Sequence, residues 1–291
     1  NLITYIKKNN PDILFASQPH VLPLLYLIKK ITFWKGSLVV RETNNKKNYF
    51  HKKYSFFSYF LFNIIQYIYS KVDLIIAPSF GIYEQINKKN CIHLNNPINI
   101  EEIKKKQKEK IDENFLIDND FIICVGEFTD QKRYEDVIKS FHECKNKDLI
   151  LVFLGDGYNK NKYVNLVNYL KLGNRVFFLG LKKNPYKYMA LSKALIVSSD
   201  YEGMPNVILQ ALVCKTQIIS SDCNFGPSEI LENGKFGYLY PIGNLKKLTE
   251  LIDLVTINKK FKNYNIEKMK ILDNNKILKE FNTNIEKLLR K

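Results

Sequence analysis

Residues 198–210 read Ser198-Ser199-Asp200-Tyr201-Glu202-Gly203-Met204-Pro205-Asn206-Val207-Ile208-Leu209-Gln210, directly after the apolar residues Ala194 to Val197. An apolar run ending in small polar residues, then a carboxylate, a glycine and a proline, then a helical apolar pattern, describes a strand–loop–helix unit. Proline suits the first turn of a helix, where its missing N–H costs nothing. A helix starting near Asn206 points unpaired backbone N–H groups and its positive dipole end at the strand ends, which is a ready phosphate site. The blander reading is a helix that follows a strand, with Glu202 merely solvated.

Further along, Asn224-Phe225-Gly226-Pro227-Ser228-Glu229 repeats the pattern of glycine and proline ahead of a helix. Two helix starts and two carboxylates, Glu202 and Glu229, then face one crevice. Phosphate on a dipole, with carboxylates gripping hydroxyls, is what a sugar nucleotide requires. Upstream, Gly155-Asp156-Gly157 ends another strand pattern, and alone it reads equally as a common βα turn or as a ligand contact.

The same alternation runs through the whole chain. Strands are expected at 12–17, 37–42, 72–78 and 91–94, with helices near 21–31, 56–70 and 83–88. After a charged stretch at 101–120 come strands at 121–126, 149–155, 176–180, 194–199, 217–222 and 237–240. Helices are expected there at 134–144, 162–172 and 206–213, and the charged tail from Leu245 is helical in pattern. This is an α/β chain of two doubly wound, Rossmann-like domains, with ligands at the carboxyl ends of the strands. The expected division is 1–115, 116–265 and a helical tail at 266–291, with 101–120 as a surface helix leading into a linker.

The chain has 291 residues, and 19 Phe and 18 Tyr among 45% hydrophobic residues exclude disorder. Lys and Arg outnumber Asp and Glu by 45 to 29, a formal +16. Only Arg41, Arg133, Arg175 and Arg290 are arginines, which argues against a nucleic-acid reader, since those favour the bidentate guanidinium. A Lys-rich background of compositional origin is the alternative. Five widely spaced cysteines, with no C-x-x-C pair, indicate neither a disulfide scaffold nor a metal site and fit a reducing cytoplasm. The run Ser55 to Tyr69 is too short and too polar to span a bilayer. The chain opens without Met on a helix-like stretch, Leu2 to Lys8, and is read as starting inside a longer protein.

From Ile123 to Leu248 the chain resembles the nucleotide-binding domain of glycosyltransferase family 4, whose members have the GT-B fold. The resemblance rests on Val125-Gly126 with Lys132 following, Leu154-Gly155-Asp156-Gly157, Val176 to Gly180 and Glu202-Gly203-Met204-Pro205-Asn206. It continues through Gly226-Pro227-Ser228-Glu229-Ile230 and Gly234-Lys235-Phe236-Gly237-Tyr238-Leu239. Asn10 to Leu14, Arg41-Glu42-Thr43-Asn44 and Leu94 to Ile98 resemble the later part of the family's acceptor domain, while its opening strand and glycine-rich loop are absent. The resemblance implies a hexosyltransferase that moves a sugar from a nucleoside diphosphate to an acceptor with retention and without bound metal or other cofactor. Lys132 would then hold the diphosphate, with Gly126, Arg133, Gly155 and Gly157 around the donor. The segment Gly203, Met204, Pro205, Asn206 and Val207 would cradle the phosphates, and Glu202 would contact the transferred sugar. His20, after Ser17-Gln18-Pro19, lies near where the family places a residue against the donor sugar; a surface histidine is the alternative.

Two positions depart from the family. Gln210 stands where the second acid of the E-x7-E motif holds the ribose, and Glu127 stands where an arginine usually meets the phosphates. Glu127 repels a diphosphate, leaving Arg133 or another cation to balance it. Residues 1–100 carry 13 Lys and Arg against four acids, and Lys46, Lys47, Lys52 and Lys53 alternate with Tyr49, Phe50, Tyr54, Phe56 and Phe57. That mixture suits a protein resting on the inner face of an anionic membrane; solvated lysines beside a buried helix are the alternative. The expected partners are a nucleotide-sugar donor and a glycan or lipid-linked acceptor, in the assembly of a bacterial surface polysaccharide, lipopolysaccharide or glycoconjugate. A catalytically weak binding subunit of a glycosyltransferase complex is the second reading.

Overall fold

The computed structural model describes residues 2–43, 57–257 and 269–290. Asn44 and the basic, aromatic stretch from Lys46 to Phe56 lie outside the described residues. Two compact units make up the chain, Asn1–Pro97 with Asp273–Lys291, and Ile98–Leu272.

The first unit holds a parallel sheet in the order β1 (Ile13–Ala16), β2 (Ser37–Arg41), β3 (Leu74–Ala77) and β4 (Cys91–His93). The central strands β2 and β3 are short aliphatic runs because both sheet faces are covered there, and β3 is buried at every position. On one face Val39, Leu74, Ile76 and Leu94 pack against Ile277, Phe281, Ile285 and Leu288 of the terminal helix Asn274–Leu289. Those four residues recur at helical spacing and form one apolar stripe. On the other face, Leu14 packs with Ile6, Ile28 and Trp34, from the helices Leu2–Asn9 and Leu22–Thr32 and the turn beyond them.

The second unit holds a six-stranded parallel sheet in the order β10-β9-β8-β5-β6-β7. The strands are β5 (Phe121–Val125), β6 (Ile150–Leu154), β7 (Val176–Phe178), β8 (Ala194–Val197), β9 (Gln217–Ser221) and β10 (Tyr238–Tyr240). Alternation along β5 sends Phe121 and Ile123 into one core, and Ile122 and Cys124 into the other. The first core takes Ile208, Leu209 and Leu212 from the helix Asn206–Val213. The second takes Val137, Ile138 and Phe141 of the helix Tyr134–Glu143 and Leu248, Ile252 and Val255 of Leu245–Thr256. The chain runs outward from β5 through β6 and β7, then returns to build β8, β9 and β10 on the other side. The strand order therefore reverses between β5 and β8, and a doubly wound sheet places its ligand crevice at that point.

Among the described residues all ten strands fall inside the expected segments, and several helix ends shift. The helix expected at 83–88 is Phe80–Ile86, ended by Asn87 in the left-handed conformation (φ 44°). The division of the chain also differs from the expected one. Residues 101–120 are not a linker: after the helix Ile100–Lys106, Ile103, Ile111 and Leu116 are buried in the core of the second unit. Lys182 to Glu113 (2.6 Å) and Lys187 to Asp112 (3.0 Å) pin this segment, as does the Asn184 amide donating to the Lys106 carbonyl (2.9 Å). The boundary lies after Pro97 rather than at 115. The tail is likewise no separate element, because its helix completes the first unit's core. Among the described residues, no helix is long and apolar enough to cross a membrane.

Candidate active site

The loops after β5 and β8 meet at the switch point and are stitched together. The Asp200 N–H donates to the Gln131 carbonyl (2.8 Å), and the Gln131 side-chain amide donates back to the Tyr201 carbonyl (2.7 Å). The Ser198 hydroxyl donates to the Lys132 carbonyl. Ser221, at the end of β9, donates to the Ser199 carbonyl (2.7 Å), so three neighbouring strand ends share one backbone arrangement.

This stitching brings Lys132 Nζ to 2.6 Å from Glu202 Oε1. Both side chains are mostly sheltered, Glu202 at 8% exposure and Lys132 at 19%. Ser199 Oγ donates to the same carboxylate oxygen at 2.6 Å. Removing a carboxylate from water is costly unless it is paired and hydrogen-bonded, and here both conditions are met. Because the two bonds converge on Oε1, the rotamer of Glu202 is set without any bond among the described residues reaching Oε2. A charge pair at a switch point, with one carboxylate oxygen uncommitted, can bind an anion through the ammonium and a hydroxyl through the carboxylate.

The surrounding residues support that geometry. Gly155 has φ 147°, and a Cβ there would sit 1.9 Å from the Gly126 carbonyl oxygen, so the β6 loop closes onto the β5 loop only with glycine. Gly157 lies against the Phe128 backbone, and the Phe128 N–H donates to the Asp156 carbonyl (2.9 Å). Gly226 (φ 86°) abuts Pro205 and the Gly203 carbonyl, and Tyr201 pairs with Asn224, so the two glycine–proline junctions do come together. Met204 and Glu202 are buried, as are Gly203 and Pro205, while Asn206 is exposed at the helix start. Pro205, at the N-cap position of that helix, contributes no side-chain hydrogen bond. Val207 and Gln210 are half-buried on its first turns. Burial pushes the Cys223 thiol up to about 12, and the charge of Glu202 adds to the shift.

Arg133 is placed differently from the expectation that it would offset Glu127. Its Nε lies 2.7 Å from Asp136 Oδ2, and its Nη1 donates to Asp200 Oδ1 at 3.1 Å. Burial opposes its charge, but these two carboxylates outweigh burial and hold the guanidinium above its ordinary value. Arg133 thus ties the helix Tyr134–Glu143 to the β8 loop. Glu127 is exposed. His20 is also exposed, in the turn Pro19–Val21 after β1 of the first unit. Ser199 and Gln131 hold this arrangement together, a role that residue types alone did not single out. The available signal for Ser199 was its place at a strand end, three residues before a carboxylate. Among the described residues, no group of three His, Cys, Asp or Glu is placed to hold a metal ion.

Residues 101–272 match the family model described as glycosyl transferases group 1. The chain is 29% identical over 279 residues to the N-acetylgalactosamine-N,N'-diacetylbacillosaminyl-diphospho-undecaprenol 4-alpha-N-acetylgalactosaminyltransferase of Campylobacter jejuni, covering 92% of this chain and 74% of that protein. It is 30% identical over 250 residues to an uncharacterised glycosyltransferase of Methanocaldococcus jannaschii, covering 79% of this chain and 60% of that one. Two solved structures share the fold. The lipopolysaccharide outer core galactosyltransferase WaaB superposes with TM-score 0.69 at 21% identity, covering 99% of this chain and 78% of that one. HepE of Anabaena in complex with UDP-glucose superposes with TM-score 0.78 at 17% identity, covering 97% and 81%. The chain belongs to the glycosyl transferases group 1 family and has the GT-B fold.

Proposed function

We propose that this protein transfers a hexosyl unit from a nucleoside-diphosphate sugar to a glycan or lipid-linked acceptor, with retention at the anomeric carbon and without a bound metal. The observation that carries this reading is the Lys132–Glu202 pair, locked by Ser199 at the β5/β8 switch point. When the glycosidic bond to the diphosphate breaks, negative charge grows on the leaving phosphate oxygens. Lys132 and the first turn of the helix Asn206–Val213 supply fixed positive charge and N–H groups for it. Glu202, held through Oε1, accepts from a hydroxyl of the transferred sugar. Gly126, Gly155 and Gly157 line the adjacent loops, and Gln210 accepts one ribose hydroxyl where the family has a carboxylate. Since Arg133 is balanced by two acids, Lys132 rather than Arg133 meets the phosphate. His20, exposed in the first unit, is proposed as a hydrogen-bond partner for a sugar hydroxyl.

The first relative's name specifies a diphospho-undecaprenol acceptor. Together with the basic, aromatic first hundred residues, it supports a lipid-linked acceptor met at the inner face of an anionic membrane, in surface-glycan assembly. The exposed Glu127 favours a second reading, a weakly active binding subunit of a glycosyltransferase complex. A thermal-shift panel of UDP- and GDP-sugars, followed by turnover assays on the full-length protein, tests the choice. Binding with turnover that Glu202→Ala abolishes supports the transferase. Binding without turnover in any acceptor mixture supports the subunit.

A further inference from the structure

On one side of the first unit's sheet the helices are apolar outward as well as inward. The helix Leu22–Thr32 packs against Leu2–Asn9 and against the helix Phe57–Tyr69, and its Ile28 is buried with Ile6 and Trp34. Its outward face is Leu24, Leu27 and Ile31, at the i, i+3, i+7 spacing of one helical stripe, and each is more than half exposed. An ordinary surface helix places charged or polar side chains there. The neighbouring helix repeats the pattern with Phe60 and Tyr67, which share a stripe and are also more than half exposed.

Phe33 ends the first of these helices in the left-handed conformation (φ 53°) and is 86% exposed. Glycine is usual at such a helix end because it carries no Cβ. Neither backbone preference nor packing inside the unit accounts for an aromatic ring there. The opposite side of the same sheet behaves differently. The helix Asn274–Leu289 turns its apolar stripe inward and shows Lys279, Glu280, Glu286 and Lys287 to water.

The apolar layer also carries one sign of charge. Its three helices contain Lys7, Lys8, Lys29 and Lys30 and neither Asp nor Glu. Lys29 turns to Asp73 (3.2 Å), whereas Lys30 lies over the Tyr26 ring (5.5 Å). Lys71, just past the helix Phe57–Tyr69, lies over the Tyr67 ring (5.6 Å). A lysine stem laid along apolar surface keeps its ammonium at the polar rim, as a side chain does at a lipid headgroup. An apolar face rimmed by cations fits an anionic bilayer, which offers acyl chains and negative headgroups together. A second copy fits poorly, because a two-fold contact would bring Lys30 and Lys71 of both copies together with no acid from these helices between them.

We propose that the outward face of the helices Leu22–Thr32 and Phe57–Tyr69 docks on an anionic bilayer. Leu24, Leu27, Ile31 and Phe33 enter the acyl boundary, while Lys30 and Lys71 meet lipid phosphates. This gives the membrane contact of the proposed function its surface, and it rests on that reading for placing the acceptor at the bilayer.

Cosedimentation of the full chain with vesicles tests this surface. Vesicles of mixed phosphatidylglycerol and phosphatidylcholine should bind it at low salt, and pure phosphatidylcholine about tenfold more weakly or less. Leu27→Glu and Ile31→Glu, both at exposed positions, should each weaken binding about tenfold or more with an unchanged melting temperature. Lys30→Glu should weaken it less and flatten its salt dependence. Tyr169→Glu, at an exposed position of the second unit, is the control and should bind as the wild type does. Full binding retained by both Leu27→Glu and Ile31→Glu would overturn this surface while the membrane contact itself stands. No binding at low salt would overturn both, and the thermal shift with nucleotide sugars then judges the transferase reading by itself. A dimer that Leu27→Glu splits in analytical ultracentrifugation, without vesicle binding, would overturn the bilayer in favour of a second copy.

Discussion

Lys132 Nζ and Glu202 Oε1 stand 2.6 Å apart, and Ser199 donates to that same oxygen. The pair joins residues 70 positions apart in the chain, in the loops that follow the two strands where the sheet changes direction. Removing either charge strands the other in a sheltered site. Lys132→Ala and Glu202→Ala should each cut turnover by about 10²–10³-fold, the range for losing one preorganised charge-stabilising contact. Steady-state kinetics with a nucleotide sugar check this. Ser199→Ala should have a smaller effect, about tenfold, that Ser199→Thr partly restores.

Glu127 and Gln210 run against the family's chemistry, and reversing them should strengthen donor binding. Glu127→Arg replaces a repelling charge with an attracting one beside the proposed donor site. A five- to tenfold fall in KM for the donor is expected, about 1–1.4 kcal/mol. Gln210→Glu should add a smaller gain on nucleosides that retain both ribose hydroxyls, and none on a dideoxy analogue. Calorimetry of the two variants separates the effects.

Gly155 tolerates no side chain, because a Cβ there would lie 1.9 Å from the Gly126 carbonyl at a φ of 147°. Gly155→Ala should destabilise the second unit by about 2 kcal/mol or more and disturb the β5 loop that carries Lys132. Gly173 has nothing within 4 Å of the corresponding position. Gly173→Ala is the matched control, neutral or slightly stabilising in chemical denaturation.

The terminal helix should matter to the first unit and not to the second. Ile277→Ala removes a buried side chain from the face formed by Val39, Leu74 and Ile76, at a cost of about 2–4 kcal/mol. Hydrogen exchange should show faster opening of β1–β4 while β5–β10 keep their protection. Equal loss in both sheets would contradict the division of the chain described above.

The five cysteines are buried, and burial pushes the thiols of Cys214 and Cys223 up to about 12. At pH 8 only about 10⁻⁴ of such a thiol is thiolate, so native-state alkylation should be slow. Its rate should rise about tenfold per pH unit, since raised pKa values keep the reactive form scarce until the solution approaches them. Mass-spectrometric footprinting reads each site, and denaturant should make all five react quickly.

Much of this protein is legible along the chain. The short aliphatic runs bounded by glycine and polar residues locate every strand, because a parallel strand buried on both faces leaves little room for other residue types. The glycine–proline junctions at 203–206 and 226–227 mark helix starts, because backbone constraints there are local. Glu202 and Lys132 stand out on motif alone. Tertiary structure decided what those residues meet. No periodicity could reveal that Arg133 faces Asp136 and Asp200, that Ser199 shares an oxygen with Lys132, or that Arg41 donates to Asn96. The charged segment at 101–120 looked like a linker because its few apolar residues are spread too thinly to signal burial, yet Ile103, Ile111 and Leu116 are enough to dock it. The tail likewise shows a helical stripe but not the sheet it covers. Local conformation follows from neighbours in the chain, whereas charge balance and burial depend on partners that only the folded chain brings together.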